Sequence, residues 1–246
     1  MLQSIPMWFE QKLDLAVRRQ IMGQRDSAGF AMSSYADAEA NGENVVFERA
    51  LKRATDPKLA QMIRKHQEDE IRHADMIEKR REALGLKRYR IPAHLQMIDI
   101  LSVEAGGILE RPMDSDADVG DVYALLYVIE ERAVQNFGRL IQVYEDLGDM
   151  QTAAMFRSIS EDEGRHLQYC KAVGKRYAGS EEAFFKEVSR IREIEARVFA
   201  RVSRGFLIHL LETGMLKLPS LWNGLLRGMI AVANAASLPA PTFVLA

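Results

Sequence analysis

The chain has 246 residues, 48% of them hydrophobic, a formal net charge of −2 and a single cysteine, Cys170. This length supports one large core, or one core with an appendage, and the balanced charge excludes a global field that would draw the chain to nucleic acid or an anionic membrane. One cysteine excludes an internal disulfide framework and fits a reducing, cytoplasmic setting.

Residues 1–10 show no basic stretch followed by a long apolar run, so no signal peptide is expected. No later segment sustains the alternation of a strand; apolar residues recur at the helical period instead. Trp8 to Met22 reads as a short amphipathic helix and Gly29 to Ala54 as one long helix. Thr55-Asp56-Pro57 supplies a turn, a cap and a proline suited to the first helical position, so the next helix runs from Pro57 to Leu84 and stops at Gly85. Residues 85–118 are mixed, with Pro92, Gly106, Gly107, Pro112 and an Asp-rich stretch. Helices from Val119 to Leu147 and from Met150 to Tyr177 follow, turned by Gly148 and Asp149. Gly179 and Ser180 restart the chain into a helix reaching Leu216, and Pro219 precedes a last apolar helix that fades near Ala236. Leu218 to Ala246 carries one charged residue, Arg227, but Gly, Pro, Asn and Ser interrupt it. That argues against a spanning helix and leaves a surface-lying segment open.

Two helical hairpins joined by a long connection predict an all-α fold. It is a four-helix bundle with a crossover between its second and third helices and extra C-terminal helices. A helix of about 26 residues spans roughly 40 Å, a distance that residues 85–118 can cover. The expected divisions are an N-terminal helix (1–28), the bundle (29–178) and a helical extension (179–246).

The hairpins resemble each other. Glu68-Asp69-Glu70-Ile71-Arg72-His73 and Glu161-Asp162-Glu163-Gly164-Arg165-His166 agree at five of six positions, 93 residues apart. At the same offset Asp56 matches Asp149, Ala60 matches Ala153 and Met62 matches Met155. A single Glu-x-x-His is ordinarily a solvated charged face; the repetition is what gives it weight. The spacing puts carboxylate and imidazole on one helix face, where both can bind one metal ion. Two such helices facing each other supply Glu70, His73, Glu163 and His166. In helix bundles that hold two metal ions in this way, each remaining helix adds one inward Glu. Glu130 shares its face with Ala133, Val134 and Phe137, whereas Glu131 points about 100° away. On the first helix Glu39 shares its face with Gly42, Val46 and Ala50 and lies 31 residues before Glu70, against 33 between Glu130 and Glu163. Glu43 lies on nearly that face but about 6 Å nearer the turn, and stands as the alternate; Asp37 lies on a polar face. Four Glu and two His without thiolate suit two iron ions, or manganese, better than a structural zinc.

The two Asp-Glu-x-Arg-His segments resemble the ferritin-like di-iron carboxylate superfamily over about Gly29 to Tyr177. Within it they are most similar to the branch of bacterial multicomponent monooxygenases and the radical-generating subunit of ribonucleotide reductase, with a repeat of the rubrerythrin kind. The resemblance implies Glu70, His73, Glu163 and His166 as ligands residue for residue, with Glu39 and Glu130 matching by spacing and face. It also implies that Asp69 holds His166 and Asp162 holds His73, fixing each imidazole. Arg72 and Arg165 would neutralise these aspartates, or else stand as exposed solubilising residues. Tyr35, Tyr123, Tyr127 and Tyr169 read as core. His66 precedes Glu70 by four residues, and its repeat partner is the apolar Ile159. It reads as a core histidine satisfied by a carboxylate or carbonyl. Di-iron N-oxygenases carry an extra histidine at this offset, which keeps a seventh-ligand role open. His94 and His209 read as structural.

These features predict a non-haem di-iron oxidoreductase that activates dioxygen and oxidises a hydrophobic organic substrate, with no catalytic side chain beyond the ligands. Helix phase assigns the cavity walls to Val46, Ala50, Met62, Val134, Phe137 and Phe156. A ferroxidase or peroxidase of ferritin or rubrerythrin type, and a non-catalytic helical interaction protein, are the competing readings. No G-x-G-x-x-G motif is present, so a separate reductase is expected to deliver electrons. The basic run Lys79-Arg80-Arg81 sits at a helix end, where it complements the dipole rather than binding nucleic acid. The apolar C-terminal helices predict a homodimer, pocket closure or peripheral membrane contact.

Overall fold

A computed structural model describes residues 7–41, 44–54 and 56–235, and among these every regular element is helical. The alternate ligand position Glu43, together with Gly42, Thr55 and the chain beyond Ala235, lies outside the described residues. The helices are α1 (Met7–Met22), α2 (Arg25–Asn41), α3 (Asn44–Arg53), α4 (Pro57–Ala83), α5 (Met97–Glu104), α6 (Asp116–Asp146), α7 (Met150–Tyr177), α8 (Glu181–Glu212) and α9 (Ser220–Ala235). A 3-10 turn, Ala93–Leu95, precedes α5 inside the crossover.

The single helix expected over Gly29 to Ala54 is instead two, α2 and α3. The junction contains Asn41, Gly42 and Asn44, three weak helix formers in four positions. Elsewhere the local signals set the boundaries. The Asp56 carboxylate accepts the Lys58 N–H at 2.9 Å and Pro57 opens α4. Ser115 and Asp118 form a reciprocal capping box that starts α6 three residues before the expected Val119. Asp149 caps α7, and Arg80 of α4 donates to Asp149 at 2.7 Å and to Thr152 at 2.6 Å, tying the two hairpins together at that end. Gly214, with φ +72°, follows the end of α8 at Glu212, four residues short of the expected Leu216.

The bundle carries two apolar clusters with a polar layer between them. Along α4, Ile63 belongs to one cluster and Ile77 to the other; Val128 and Phe137 divide α6 the same way, and Tyr169 and Ile159 divide α7. Residues 66–73, 130 and 162–166 occupy the interval. α8 runs through both clusters, from Phe184 to Val202 in one and from Phe206 to Leu211 in the other. Its close approach to α7 depends on Gly174, where a Cβ would come within 2.1 Å of the Phe184 ring. α1 lies against α2 and α6. No described helix is long and apolar enough to cross a membrane. α9 turns Leu226 and Ile230 toward the second cluster and leaves Leu221, Trp222 and Leu225 exposed.

Candidate metal centre

α4 places His66, Glu70 and His73 on one face at i, i+4 and i+7. α7 supplies Glu163 and His166, α6 supplies Glu130 and α2 supplies Glu39. These seven residues form two groups whose ligating atoms lie within 4.8 Å of one another: Glu39, Glu70, His73 and Glu163, and His66, Glu70, Glu130 and His166. Glu70 belongs to both. Glu163 also reaches across the site, with Oε1 3.0 Å from His73 Nδ1 and Oε2 2.9 Å from His166 Nδ1. Glu39 Oε2 lies 3.3 Å from His73 Nδ1, and Glu70 Oε1 lies 3.2 Å from His166 Nδ1. All seven side chains are buried or nearly so; Glu39 is the most accessible, at 10%.

Each principal histidine has its two nitrogens divided between two tasks. His73 Nε2 faces Asp162 at 3.3 Å and His166 Nε2 faces Asp69 at 3.4 Å, leaving both Nδ1 atoms toward the carboxylates. The aspartates are themselves neutralised. Arg72 bridges them, at 2.7 Å from Asp69 and 2.5 Å from Asp162, Lys65 adds a contact to Asp69 at 2.7 Å, and Arg165 pairs with Asp162.

The electrostatics follow from crowding in a dry layer. Burial opposes charge on His73, but Glu163 and Glu39 outweigh it and push it up to about 10; His166 rises likewise to about 9 beside Glu163 and Glu70. Burial and the Glu70 charge push Glu39 well above the usual carboxylate range. Glu70 lies below that range because the imidazoles of His166 and His66 outweigh its burial. Burial lowers His66, which favours a neutral imidazole.

A solvated charged face would expose these groups, and a closed polar network would satisfy them. Here Glu39 Oε2, Glu70 Oε1, His73 Nδ1 and Glu163 Oε1 are buried and make no aligned hydrogen bond. Leaving such atoms unpaired costs about 1–3 kcal/mol each, a cost that a shared cation removes. Carboxylate oxygens and imidazole nitrogens without thiolate form a donor set suited to iron or manganese. The residues therefore fit a metal site.

His66 stacks on His166 with ring centroids 3.8 Å apart, and its Nε2 lies 2.9 Å from Glu130 Oε1 and 3.2 Å from Glu70 Oε1. It thus meets the carboxylates expected of a core histidine while sitting among the ligand-capable atoms. Its sequence signal is the shared face with Glu70. Tyr169 approaches the His66 ring edge-on, and its hydroxyl lies 2.6 Å from that of Tyr123.

Beside Glu39 lies a cavity of about 120 Å³. Its walls differ from those assigned by helix phase. Phe137 lines it, but Val46 and Ala50 face the first cluster, Phe156 packs behind Phe137, Met62 is exposed and Val134 does not reach it. Beside Tyr35 and Ala38 of α2 and Ile129 and Ala133 of α6, apolar lining comes from two further segments: the crossover, through Ile91, Leu95 and Ile98, and α8, through Val202 and Phe206. Neither segment has a helical phase relative to the motif that sequence could supply.

A family model described as a ferritin-like domain matches residues 47–178, which include both Glu-x-x-His helices and Glu130 but not Glu39. No curated protein and no solved structure matches the chain. The match spans more than half of the chain and coincides with the helices that carry the repeated motif, so the chain belongs to the ferritin-like domain family.

Proposed function

We propose that the chain is a non-haem di-iron oxidoreductase that activates dioxygen to oxidise or oxygenate a hydrophobic organic substrate. One observation carries this reading: two ligand-capable groups share Glu70 in a buried layer that abuts an apolar cavity at Glu39. Two ferrous ions, if held there, would supply redox chemistry toward dioxygen. Glu39 and His73 would hold one ion and Glu130 and His166 the other, with Glu70 common to both groups and Glu163 lying between His73 and His166. Asp162 and Asp69 hold the imidazole rings with Nδ1 inward. The flanking apolar clusters keep bulk water from the layer. The Asp-Glu-x-Arg-His segments and their likeness to multicomponent monooxygenases support the same reading. Electrons come from a separate reductase, and manganese is the competing metal for this donor set.

The test is elemental analysis after anaerobic ferrous loading and desalting, on wild type and on a Glu70→Ala, Glu163→Ala double variant. About two irons per wild-type chain and few in the variant are expected, followed by oxygen uptake that an organic substrate stimulates. Oxygen uptake that tracks added ferrous iron and ignores organic compounds would move the assignment to a ferroxidase. No retained metal in either protein would end the enzyme reading.

A further inference from the structure

We infer that the cavity between α2, α5, α6 and α8 is a binding site for a neutral, ring-sized apolar molecule. The inference deepens the oxidoreductase reading by naming its substrate class, and it rests on that reading only for the fate of the molecule beside Glu39. Size sets the first limit. An engineered cavity of about 150 Å³ lined by Leu, Ile and Phe binds benzene; the cavity here is about 120 Å³, with Leu95, Phe137, Val202 and Phe206 in its wall. The enclosed space fits a single ring or a short alkyl group.

Charge sets the second limit. Arg132 donates from Nε and Nη2 to the two oxygens of buried Glu195, at 2.7 and 2.9 Å, with its guanidinium 4.0 Å over the Phe199 ring. Asp37 is paired with Arg88 at 2.5 Å, and the Asn136 carbonyl oxygen accepts from Arg18 at 2.7 Å. Asp99 stands on the exposed rim. An anionic ligand entering the interior would lose its hydration, find the Arg132 guanidinium already paired with Glu195 and meet the Glu39 carboxyl, which is costly. Of the seven residues in the two groups, Glu39 lines the cavity. A bound ring therefore lies against the Glu39 and His73 position and not the Glu130 position.

The experiment is fluorine NMR on the full, metal-free chain with fluorobenzene, and with 4-fluorobenzoate as the charged counterpart. Saturable fluorobenzene binding is expected, with 4-fluorobenzoate weaker by at least about tenfold. Two cavity-filling substitutions on different helices, Ala133→Leu and Val202→Phe, should each abolish it. Absence of fluorobenzene binding overturns the inference, as does equal binding of 4-fluorobenzoate or undiminished binding in the folded variants. On cobalt(II)-loaded protein the bound fluorine should relax faster; retained cobalt without that effect removes the ring from the Glu39 side. Failure to retain cobalt with fluorobenzene binding intact strikes the metal reading and leaves the cavity assignment standing.

Discussion

Asp162 meets His73 Nε2 at 3.3 Å, Arg72 at 2.5 Å and the Arg165 guanidinium, while Asp69 meets His166 Nε2 at 3.4 Å, Arg72 at 2.7 Å and Lys65 at 2.7 Å. The aspartates act on the candidate ligands through the imidazoles, by fixing which nitrogen carries the proton and where the ring points. Asp162→Asn should therefore lower metal affinity about 10–100-fold without removing a ligand, measured by competition with a chelator on folded protein. Arg165→Gln should do far less, because that guanidinium is 64% exposed and Arg72 still holds Asp162. An equal loss in both variants would mean that Arg165, and not Arg72 alone, holds Asp162 in place against His73. Arg72 and Arg165 are indistinguishable in the repeated motif, yet Arg72 bridges both hairpins and Arg165 serves one. That asymmetry depends on which side of the α4–α7 contact each arginine faces, and a motif does not encode it. The pairing of Asp69 and Asp162 with the opposite histidines is the reverse case, since the family likeness alone implied it.

At the scale of helices, the strongest local signals were legible. Asp56-Pro57 starts α4, Gly148 and Asp149 turn α6 into α7, and the Glu-x-x-His spacing puts each carboxylate and imidazole on one face. The break between α2 and α3 was not, because Val46 and Ala50 carry the apolar period across it and period outweighs three weak helix formers in a sequence reading. The cavity was illegible for another reason: opposite its α2 and α6 walls stand the crossover and α8, whose docking depends on tertiary contacts. Gly174 is one such contact. Gly174→Ala should destabilise the chain, because about 1–3 kcal/mol of overpacking against Phe184 exceeds the roughly 0.5–1 kcal/mol gained in helix propensity. Gly138→Ala on α6, where a Cβ meets open space, should instead stabilise by up to about 1 kcal/mol. Urea denaturation midpoints of the two variants should move in opposite directions; a shared direction would mean that α8 does not pack on α7 through Gly174.

For the whole molecule, a polar layer set between two apolar clusters makes folding and metal binding answer to pH in opposite senses. In the metal-free chain the Glu163, Glu39 and Glu70 carboxylates raise His73 to about 10 and His166 to about 9 against the effect of burial. A raised folded value means that the folded chain holds these protons more tightly than the unfolded chain, whose histidines titrate near 6.5. Their stabilisation is complete below about pH 6.5 and is lost as pH rises through about 9 and 10. Glu39, raised by burial and by Glu70, adds to the same trend. Glu70 and Glu163 act at the acid end: both are depressed, so their contribution is present above the ordinary carboxylate range and is lost as pH falls through their folded values. The metal-free protein should accordingly lose thermal stability between about pH 7 and 10. A metal ion competes with the protons on His73 and His166, so its binding must release them and strengthen as pH rises. The rise in Tm on metal loading should therefore grow from about pH 6 to pH 8 while the Tm of the metal-free chain stays level or falls. Thermal melts of both forms across that range measure the two slopes directly. A metal-induced increment that is flat with pH would mean that the imidazoles keep their protons, and that any bound ion sits on the carboxylates alone.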